Sequence, residues 1–253
     1  MKKVIEVKGV KIGEGRPKIC VPFTGQNIDE IRQEAAAVDF TKVDLVEWRA
    51  DYYAGIGDMR GFVQCLESVR ELTEGHPLLF TFRSHAEGGH ADVSLTQYME
   101  INKAALESKF CDLCDIEYMI GDEDAGELLW LAEKMNVVSI LSNHDLVKTP
   151  RRIVMMDRLH QMQMLGGDIL KLAVTPQEPA DVVTLLQVTN EMSTYYARGP
   201  IITVSMGRLG EITRISGGIF GSAVTYAKGL HSSAPGQLPV DGIAAALDLM
   251  DTE

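Results

Sequence analysis

The chain alternates eight short apolar runs with longer, more polar intervals, and this alternation constrains its fold more than any other feature. Successive runs start 22 to 35 residues apart, which leaves room for one strand and a helix that returns to the next parallel strand. Eight strands alternating with seven or eight helices predict an α/β fold of the (β/α)₈ barrel type. The runs begin near Lys18, Val43, Pro77, Asp112, Val137, Asp168, Pro200 and Ser222.

The intervals between the runs carry helix caps as well as apolar stripes. Asn27 is an N-cap candidate, and Ser94 with Gln97 has the spacing of a capping box. Thr149-Pro150 predicts an N-cap followed by a proline at the first helical position. Gly166-Gly167 predicts the end of that same helix. These signals support helices in the positions that a barrel requires.

No linker or charge block divides the chain, so a single domain over residues 1–253 is expected. Residues 1–16 alternate in polarity and end in glycines, which predicts a β-hairpin that closes the bottom of the barrel. A doubly wound sheet is the alternative fold. Against it, the first strand–helix turn, residues 23–27, lacks the G-x-G-x-x-G pattern of dinucleotide-binding sheets.

Composition and charge exclude several classes of protein. With 45% hydrophobic residues, the chain can bury enough surface to fold. Its longest run without a charge, residues 215–227, is too short for a membrane helix, and no apolar signal segment is visible, so a cytoplasmic protein is expected. A net charge of −12 argues against a nucleic-acid-binding surface. Cys111 and Cys114 form an isolated C-x-x-C pair, for which a structural role is favoured over zinc binding.

Polar residues end several of the predicted strands, and barrel enzymes carry their chemistry at those carboxyl ends. Glu47 and Arg49 share one face of the second run, because side chains alternate along a strand. Taken alone, such a pair is more often a structural ion pair than a substrate contact. Arg49, Arg83 and Arg214, expected at three strand ends, together suit a carboxylate. Further polar residues at or just after strand ends are Glu87, Asp115, Glu117, Asn143 and His144.

Lys171 is the most informative residue, because it lies in the middle of the apolar run 168–174. Burying a charged lysine is expensive, so two interpretations are open. On an edge strand, the side chain would point at water. In a closed barrel, which has no edge, burial favours the neutral amine, which can attack a carbonyl carbon. His144 ends the preceding strand at the same mouth of the barrel and would supply a general acid–base.

Eight short segments combine these polar residues with characteristic neighbours. Each segment lies at a predicted strand end or in the loop that follows it. They are Pro17-Lys18-Ile19-Cys20-Val21, Asp44-Leu45-Val46-Glu47-Trp48-Arg49-Ala50-Asp51, Thr81-Phe82-Arg83 with Glu87-Gly88-Gly89, Asp115-Ile116-Glu117, Ser142-Asn143-His144-Asp145, Gly167-Asp168-Ile169-Leu170-Lys171-Leu172-Ala173, Ser205-Met206-Gly207 and Ser233-Ala234-Pro235-Gly236-Gln237.

With these segments in this order, the chain resembles the type I 3-dehydroquinate dehydratases, Schiff-base enzymes of the shikimate pathway, over essentially its full length. The resemblance implies that Lys171 forms an imine with the ketone of 3-dehydroquinate, that His144 moves protons and that Glu87 partners His144. It also implies 3-dehydroshikimate as product, no metal or organic cofactor, and a homodimer. The substrate contacts that it implies are Glu47, Arg49, Arg83, Arg214, Ser233, Ala234 and Gln237, the last three in a loop that closes over the substrate.

The sequence departs from the family pattern at two places. Pro22 stands where many relatives carry serine, so a contact from that hydroxyl is absent, and His85-Ala86 precedes Glu87 where basic residues are common. Two rival functions remain open at this stage. A class I aldolase also uses a lysine on the sixth strand, and a non-catalytic sensor would bind the substrate without converting it. The presence of both His144 and Lys171 favours the dehydratase.

Overall fold

The computed structural model describes residues 3–251, and its centre is a ring of eight parallel strands in chain order. The last strand returns to pair with the first, as Thr225 lies opposite Ile19. Between the seventh and eighth strands, the single parallel bridge Ile201–Ser222 completes the ring. The predicted (β/α)₈ barrel is therefore confirmed, and the doubly wound alternative is wrong. The strands are β3 (Lys18–Phe23), β4 (Leu45–Arg49), β5 (Leu78–Thr81), β6 (Leu113–Glu117), β7 (Val138–Asp145), β8 (Ile169–Val174), β9 (Ile201–Ser205) and β10 (Val224–Tyr226).

Within residues 3–251, eight α-helices surround the ring. Asn27 caps the first helix and Ser94 with Gln97 forms a capping box on the third, as predicted. None of the helices within residues 3–251 is long and apolar enough to cross a bilayer. The helices are α1 (Ile28–Ala36), α2 (Met59–Glu71), α3 (Leu95–Ser108), α4 (Asp122–Met135), α5 (Arg152–Leu165), α6 (Pro179–Glu191), α7 (Gly207–Ser216) and α8 (Val240–Met250).

The start of α5 differs from the prediction. The helix begins at Arg152 with Arg151 as its N-cap, so Thr149-Pro150 does not open it. The carbonyl of Lys148 instead accepts a hydrogen bond of 3.3 Å from the backbone N–H of Thr175. This bond ties the segment before the helix to the loop after β8. The predicted end is confirmed, since Gly166 is the left-handed C-cap.

The described part of the N-terminal segment forms the predicted hairpin, β1 (Ile5–Val7) and β2 (Val10–Ile12). Its two-residue turn places Lys8 and Gly9 at positive φ, which matches the twist of an antiparallel pair. Ile5, Val7 and Ile12 are buried and pack against inward-facing residues at the amino ends of the barrel strands. The hairpin thus closes the bottom of the barrel, and the opposite end stays open.

Side chains inside the barrel change from apolar to polar toward the carboxyl ends of the strands. On β6, the buried Leu113 is followed on the same face by Asp115 and Glu117. On β8, Ile169 is followed by Lys171 in the same way. The bottom layer is therefore hydrophobic core, and the polar layers above it form the site. The four cysteines, Cys20, Cys65, Cys111 and Cys114, are buried and free, which fits the structural role expected for the C-x-x-C pair.

Candidate active site

A cavity of about 600 Å³ opens at the carboxyl ends of the strands. All ten residues that the sequence predicted for the site line it, so the structure brings together side chains from β4, the segment after β5, β7, β8, α7 and the loop after β10. Seven further residues complete the lining, most of them apolar: Gly88, Leu146, Ala173, Val204, Met206, Tyr226 and Pro235.

Lys171 lies in the deeper layer of the site and is 5% exposed. Its Nζ donates to Oδ2 of Asp115 at 2.9 Å and lies 4.5 Å from the centre of the Tyr226 ring. The sequence predicted burial of this lysine among apolar neighbours on its strand, and the structure adds a carboxylate partner for the nitrogen that the sequence did not indicate. The alternation along β6 places Asp115 inside the barrel, but only the packing of the ring brings it to Lys171.

Arg83 holds together a buried cluster of carboxylates. Nη2 lies 2.8 Å from Oδ1 of Asp115, and Nη1 lies 3.0 Å from Oε1 of Glu117. Ser142 joins the cluster by donating to Asp115 and accepting from Arg83. Although burial opposes the charge of Asp115, Arg83 and Lys171 hold the pKa of that carboxyl well below its usual range. Asp115 is therefore a fixed anion beneath the cavity.

His144 and Glu87 form a second pair, one layer nearer the mouth. Nδ1 of His144 lies 2.8 Å from Oε2 of Glu87, and the backbone N–H of His144 donates to the same oxygen at 3.0 Å. Asn143 donates to Oε1 of Glu87 at 2.9 Å. Because both oxygens of Glu87 accept from N–H donors, we assign the ring proton to Nδ1. No atom of residues 3–251 bonds to Nε2, which is the ring nitrogen left for a ligand.

The charges around this pair keep the imidazole neutral. Burial, with the positive charges of Arg83 and Lys171, lowers the pKa of His144 well below 6.5. Burial and repulsion from Glu117 raise the pKa of Glu87. The lowered pKa of His144 keeps the ring neutral near neutral pH, and with the ring proton assigned to Nδ1 the Nε2 atom carries a lone pair. A neutral histidine in this position is suited to accept a proton.

Arg214 faces the cavity from the opposite side. It lies on α7 rather than at a strand end, which corrects the placement expected from the sequence. Nη2 donates to the carbonyl of Pro235 at 2.9 Å and Nη1 to that of Tyr226 at 3.3 Å, while Nε has no partner within residues 3–251. Burial lowers the pKa of Arg214 to about 10, so the group stays charged at neutral pH. No ion pair within the described chain neutralises it.

The structure does not bring the three predicted arginines to one free carboxylate site. Arg49 is already bound through two hydrogen bonds to Asp51, at 2.8 and 2.9 Å, a partner that the sequence analysis did not identify. Glu47, which shares its strand face, accepts instead from the hydroxyl of Thr81 at 2.9 Å. Since Arg83 is paired as well, Arg214 is the arginine of this set that remains available for an anionic ligand.

The loop after β10 covers part of the cavity. Its base is closed by a 2.7 Å hydrogen bond from the N–H of Lys228 to the carbonyl of Leu238. Gln237 binds Ser233 twice, accepting from its N–H at 2.8 Å and donating to its Oγ at 3.1 Å. Gly236 has φ +77°, and a Cβ there would lie 2.5 Å from the Gly207 carbonyl oxygen, so only glycine allows this approach. The loop therefore packs closely against the start of α7.

Two sequence features lie outside the cavity lining. Pro22, at the end of β3, pairs in register with Glu47 but does not line the cavity. His85 lies in the short 3-10 helix His85–Glu87, and it does not line the cavity either. Among residues 3–251, no group of three or more His, Cys, Asp and Glu side chains is arranged to hold a metal ion.

Comparison with known proteins identifies the family of this chain. Residues 19–253 match the family model for type I 3-dehydroquinase. The 3-dehydroquinate dehydratase of Bacillus subtilis is 42% identical over 247 residues, which cover 98% of this chain and 97% of that protein. The 3-dehydroquinate dehydratase of Salmonella typhimurium is 41% identical over 248 residues, which cover 98% of each.

Solved structures agree. The type I 3-dehydroquinate dehydratase of Clostridium difficile, solved with covalently modified comenic acid, has a TM-score of 0.96 at 42% identity, covering 99% of each chain. The 3-dehydroquinate dehydratase of Geobacillus kaustophilus has a TM-score of 0.95 at 37% identity, covering 99% of this chain and 97% of that one. Because the match extends over almost the whole sequence, this chain belongs to the type I 3-dehydroquinase family.

Proposed function

We propose that this protein removes water from 3-dehydroquinate to give 3-dehydroshikimate, with Lys171 as the residue that forms an imine with the substrate. The observation that carries the proposal is one cavity that contains a buried lysine, a histidine whose Nε2 has no partner within residues 3–251, and an arginine with no carboxylate partner among the same residues. These groups match the ketone, the acidic α-carbon and the carboxylate of this substrate. Membership of the type I 3-dehydroquinase family supports the same reaction.

The first step is imine formation. The nitrogen of Lys171, once it has given up a proton, attacks the ketone carbon and forms a carbinolamine. Loss of the former carbonyl oxygen as water then gives a protonated imine, in which carbon is doubly bonded to Nζ. The nitrogen now carries a positive charge, and it can accept the electron pair that is released when the neighbouring carbon loses a proton.

The elimination follows at the α-carbon. Nε2 of His144 accepts the α-proton, and the electron pair of the C–H bond moves to Nζ to form a neutral enamine. The enamine returns that electron pair as the bond to the tertiary hydroxyl breaks, and His144 returns its proton so that water leaves. Addition of water to the resulting imine releases 3-dehydroshikimate and the free lysine. The sum is one substrate converted to one product and one water.

The groups around the lysine and the histidine would orient the substrate. Arg214 binds the carboxylate, since it is buried, charged and without an ion pair in the described chain. Glu87 orients His144 through Nδ1. The remaining predicted contacts would bind the ring hydroxyls from the strand ends or cover the substrate from the loop after β10. They are Glu47, Arg49 and Arg83 near the strand ends, and Ser233, Ala234 and Gln237 in the loop.

Borohydride reduction tests this proposal, because it converts an imine to a stable amine. The protein is incubated with 3-dehydroquinate, reduced, digested and mapped by mass spectrometry, while formation of the conjugated ketone is followed by ultraviolet absorbance. We expect turnover and a ligand-sized mass on the peptide with Lys171. Labelling at the exposed Lys148 instead, or turnover without labelling, would contradict the assignment. Binding without turnover would favour the non-catalytic sensor.

A further inference from the structure

The nitrogen of Lys171 is surrounded by more than one group that stabilises a positive charge. Oδ2 of Asp115 is 2.9 Å from Nζ on one side, and the face of the Tyr226 ring is 4.5 Å from it. Carboxylates and aromatic faces both attract cations, most strongly where water is excluded. Lys171 and Asp115 are both almost completely buried, which meets that condition.

We propose that Asp115 is the counterion of the protonated imine, holding the charge on the nitrogen of Lys171 throughout the reaction. This inference rests on the proposed imine at Lys171. An ammonium and a protonated imine carry the same charge on the same nitrogen, so a carboxylate that binds one also binds the other. Only the protonated imine withdraws electrons strongly enough to acidify the neighbouring carbon. The carboxylate therefore keeps the intermediate in its reactive form.

The second reason is that Asp115 is held in place by groups other than Lys171. Its Oδ1 is bound by Nη2 of Arg83 at 2.8 Å and by the hydroxyl of Ser142. Ser142 lies opposite Lys171 in the register of β7 and β8, so both strands support the same layer. When the lysine becomes an imine and loses hydrogens, Asp115 does not turn away to find other donors. A fixed anion stabilises charge without the cost of reorganisation.

The other groups that face Lys171 are occupied elsewhere or uncharged. Among residues 3–251, Asp115 is the carboxylate in ion-pair contact with Nζ. On the neighbouring strands, Glu47 accepts from Thr81 and Glu87 from His144 and Asn143. The remaining titratable or charged groups around the lysine are the buried Cys20 thiol on β3, Arg83 after β5, Glu117 on β6, His144 on β7 and the Tyr226 phenol on β10.

A pair of reducing agents tests the inference, because cyanoborohydride reduces the protonated imine whereas borohydride also reduces the neutral one. The protein is equilibrated with 3-dehydroshikimate between pH 6 and 9, and labelling of Lys171 by each reagent is compared. In the native protein, we expect the ratio of labelling by cyanoborohydride to labelling by borohydride to stay constant up to pH 8. In Asp115→Asn, we expect the ratio at pH 8 to fall about tenfold or more, since an adjacent charge shifts a pKa by 1–3 units.

Glu117→Gln is the matched control, since Glu117 lies on the same strand and binds the same Arg83 but does not contact Nζ. It should keep the native ratio. Equal ratios in Asp115→Asn and native protein, or an equal drop in Glu117→Gln, would overturn the inference. If Asp115→Asn does not fold, the native protein still decides, because a ratio that falls before pH 8 contradicts a counterion at this position. Absence of borohydride labelling in the native protein would instead contradict the proposed function.

Discussion

The two sides of the barrel mouth differ in how their charges are satisfied. One side is formed by β6, β7 and the segment after β5. Its charged side chains bind one another through buried contacts: Arg83, Glu87, Asp115, Glu117 and His144. On the side formed by α7 and the loop after β10, Arg214 donates only to backbone carbonyls within the described chain. The first side, the paired side, is preorganised by the protein. The second, the open side, leaves a charge to be matched by the ligand.

This difference predicts different consequences for substitutions. Removing one partner from a buried charge pair costs about 3–5 kcal/mol, because the other partner stays buried and unpaired. On the paired side, that cost would fall on folding as well as on catalysis. On the open side, the proposed partner of Arg214 is the ligand itself, so we expect the loss to appear in substrate affinity. The variants below separate the two sides.

Lys171→Ala should give the largest loss of turnover. The substitution removes the amine that we expect to carry the imine, and deletion of a covalent catalyst typically lowers kcat by about 10⁴-fold or more. Substrate binding should persist, since Arg214 on the open side is unchanged. Steady-state rates and calorimetric binding check both parts. Lys148→Ala, at an exposed lysine in the loop after β7, is the control and should behave as the native protein.

Arg214→Ala should weaken substrate binding strongly. Truncating one partner of a buried charge pair costs about 2–5 kcal/mol, so KM should rise by about 30-fold or more. The thermal stability should change little compared with a substitution on the paired side. Arg208→Ala, at an exposed position of the same helix, is the matched control. Unchanged KM and kcat in Arg214→Ala would show that the arginine has only a structural role.

The pH dependence of kcat/KM should distinguish the neutral histidine of the paired side from an ordinary one. Because the pKa of His144 is lowered in the folded protein, its basic form persists as the pH falls through 6.5. The acidic limb of the profile should therefore lie below pH 6.5, with little loss between pH 7.5 and 6.5. A midpoint at or above pH 6.5 would contradict the geometry and charges described for His144 and Glu87.

Gln237→Ala should give the smallest effect of this series. It removes two hydrogen bonds that hold Ser233 in the closing loop. Since a typical hydrogen bond contributes about 0.5–1.5 kcal/mol and these two hold the loop rather than the substrate, kcat/KM should fall by about 2–10-fold in total. Gln187→Ala, at an exposed position on α6, is the control for the same chemical change. A loss as large as that of Arg214→Ala would mean that Gln237 binds the substrate more directly than proposed.

Much of the fold and of the site composition could be predicted from the sequence, because both follow from periodicity. The alternation of apolar runs predicted the barrel, the two-residue period put Glu47 and Arg49 on one face of a strand, and the apolar run around Lys171 indicated its burial. Partner choice could not be predicted in the same way. Asp115 reaches Lys171 across β7, and Arg49 selects Asp51 rather than Glu47, because these contacts depend on how the strands tilt and pack. The predicted homodimer stays a prediction.

The most direct test of the separate roles of Lys171 and His144 is the intact mass of His144→Ala after incubation with 3-dehydroquinate. The variant keeps the lysine and the open side, so an imine can still form. Without Nε2, both proton transfer at the α-carbon and release of the product should slow, and turnover should fall by about 10²–10⁴-fold. His160→Ala, an exposed histidine on α5, serves as the control.

We predict that His144→Ala accumulates a covalent adduct, with a mass increase that maps to Lys171, while the His160→Ala control turns over normally. This outcome would assign bond formation to the lysine and proton transfer to the histidine. Near-native turnover of His144→Ala, with no adduct detected, would contradict the account and make Glu87 the leading candidate for the base.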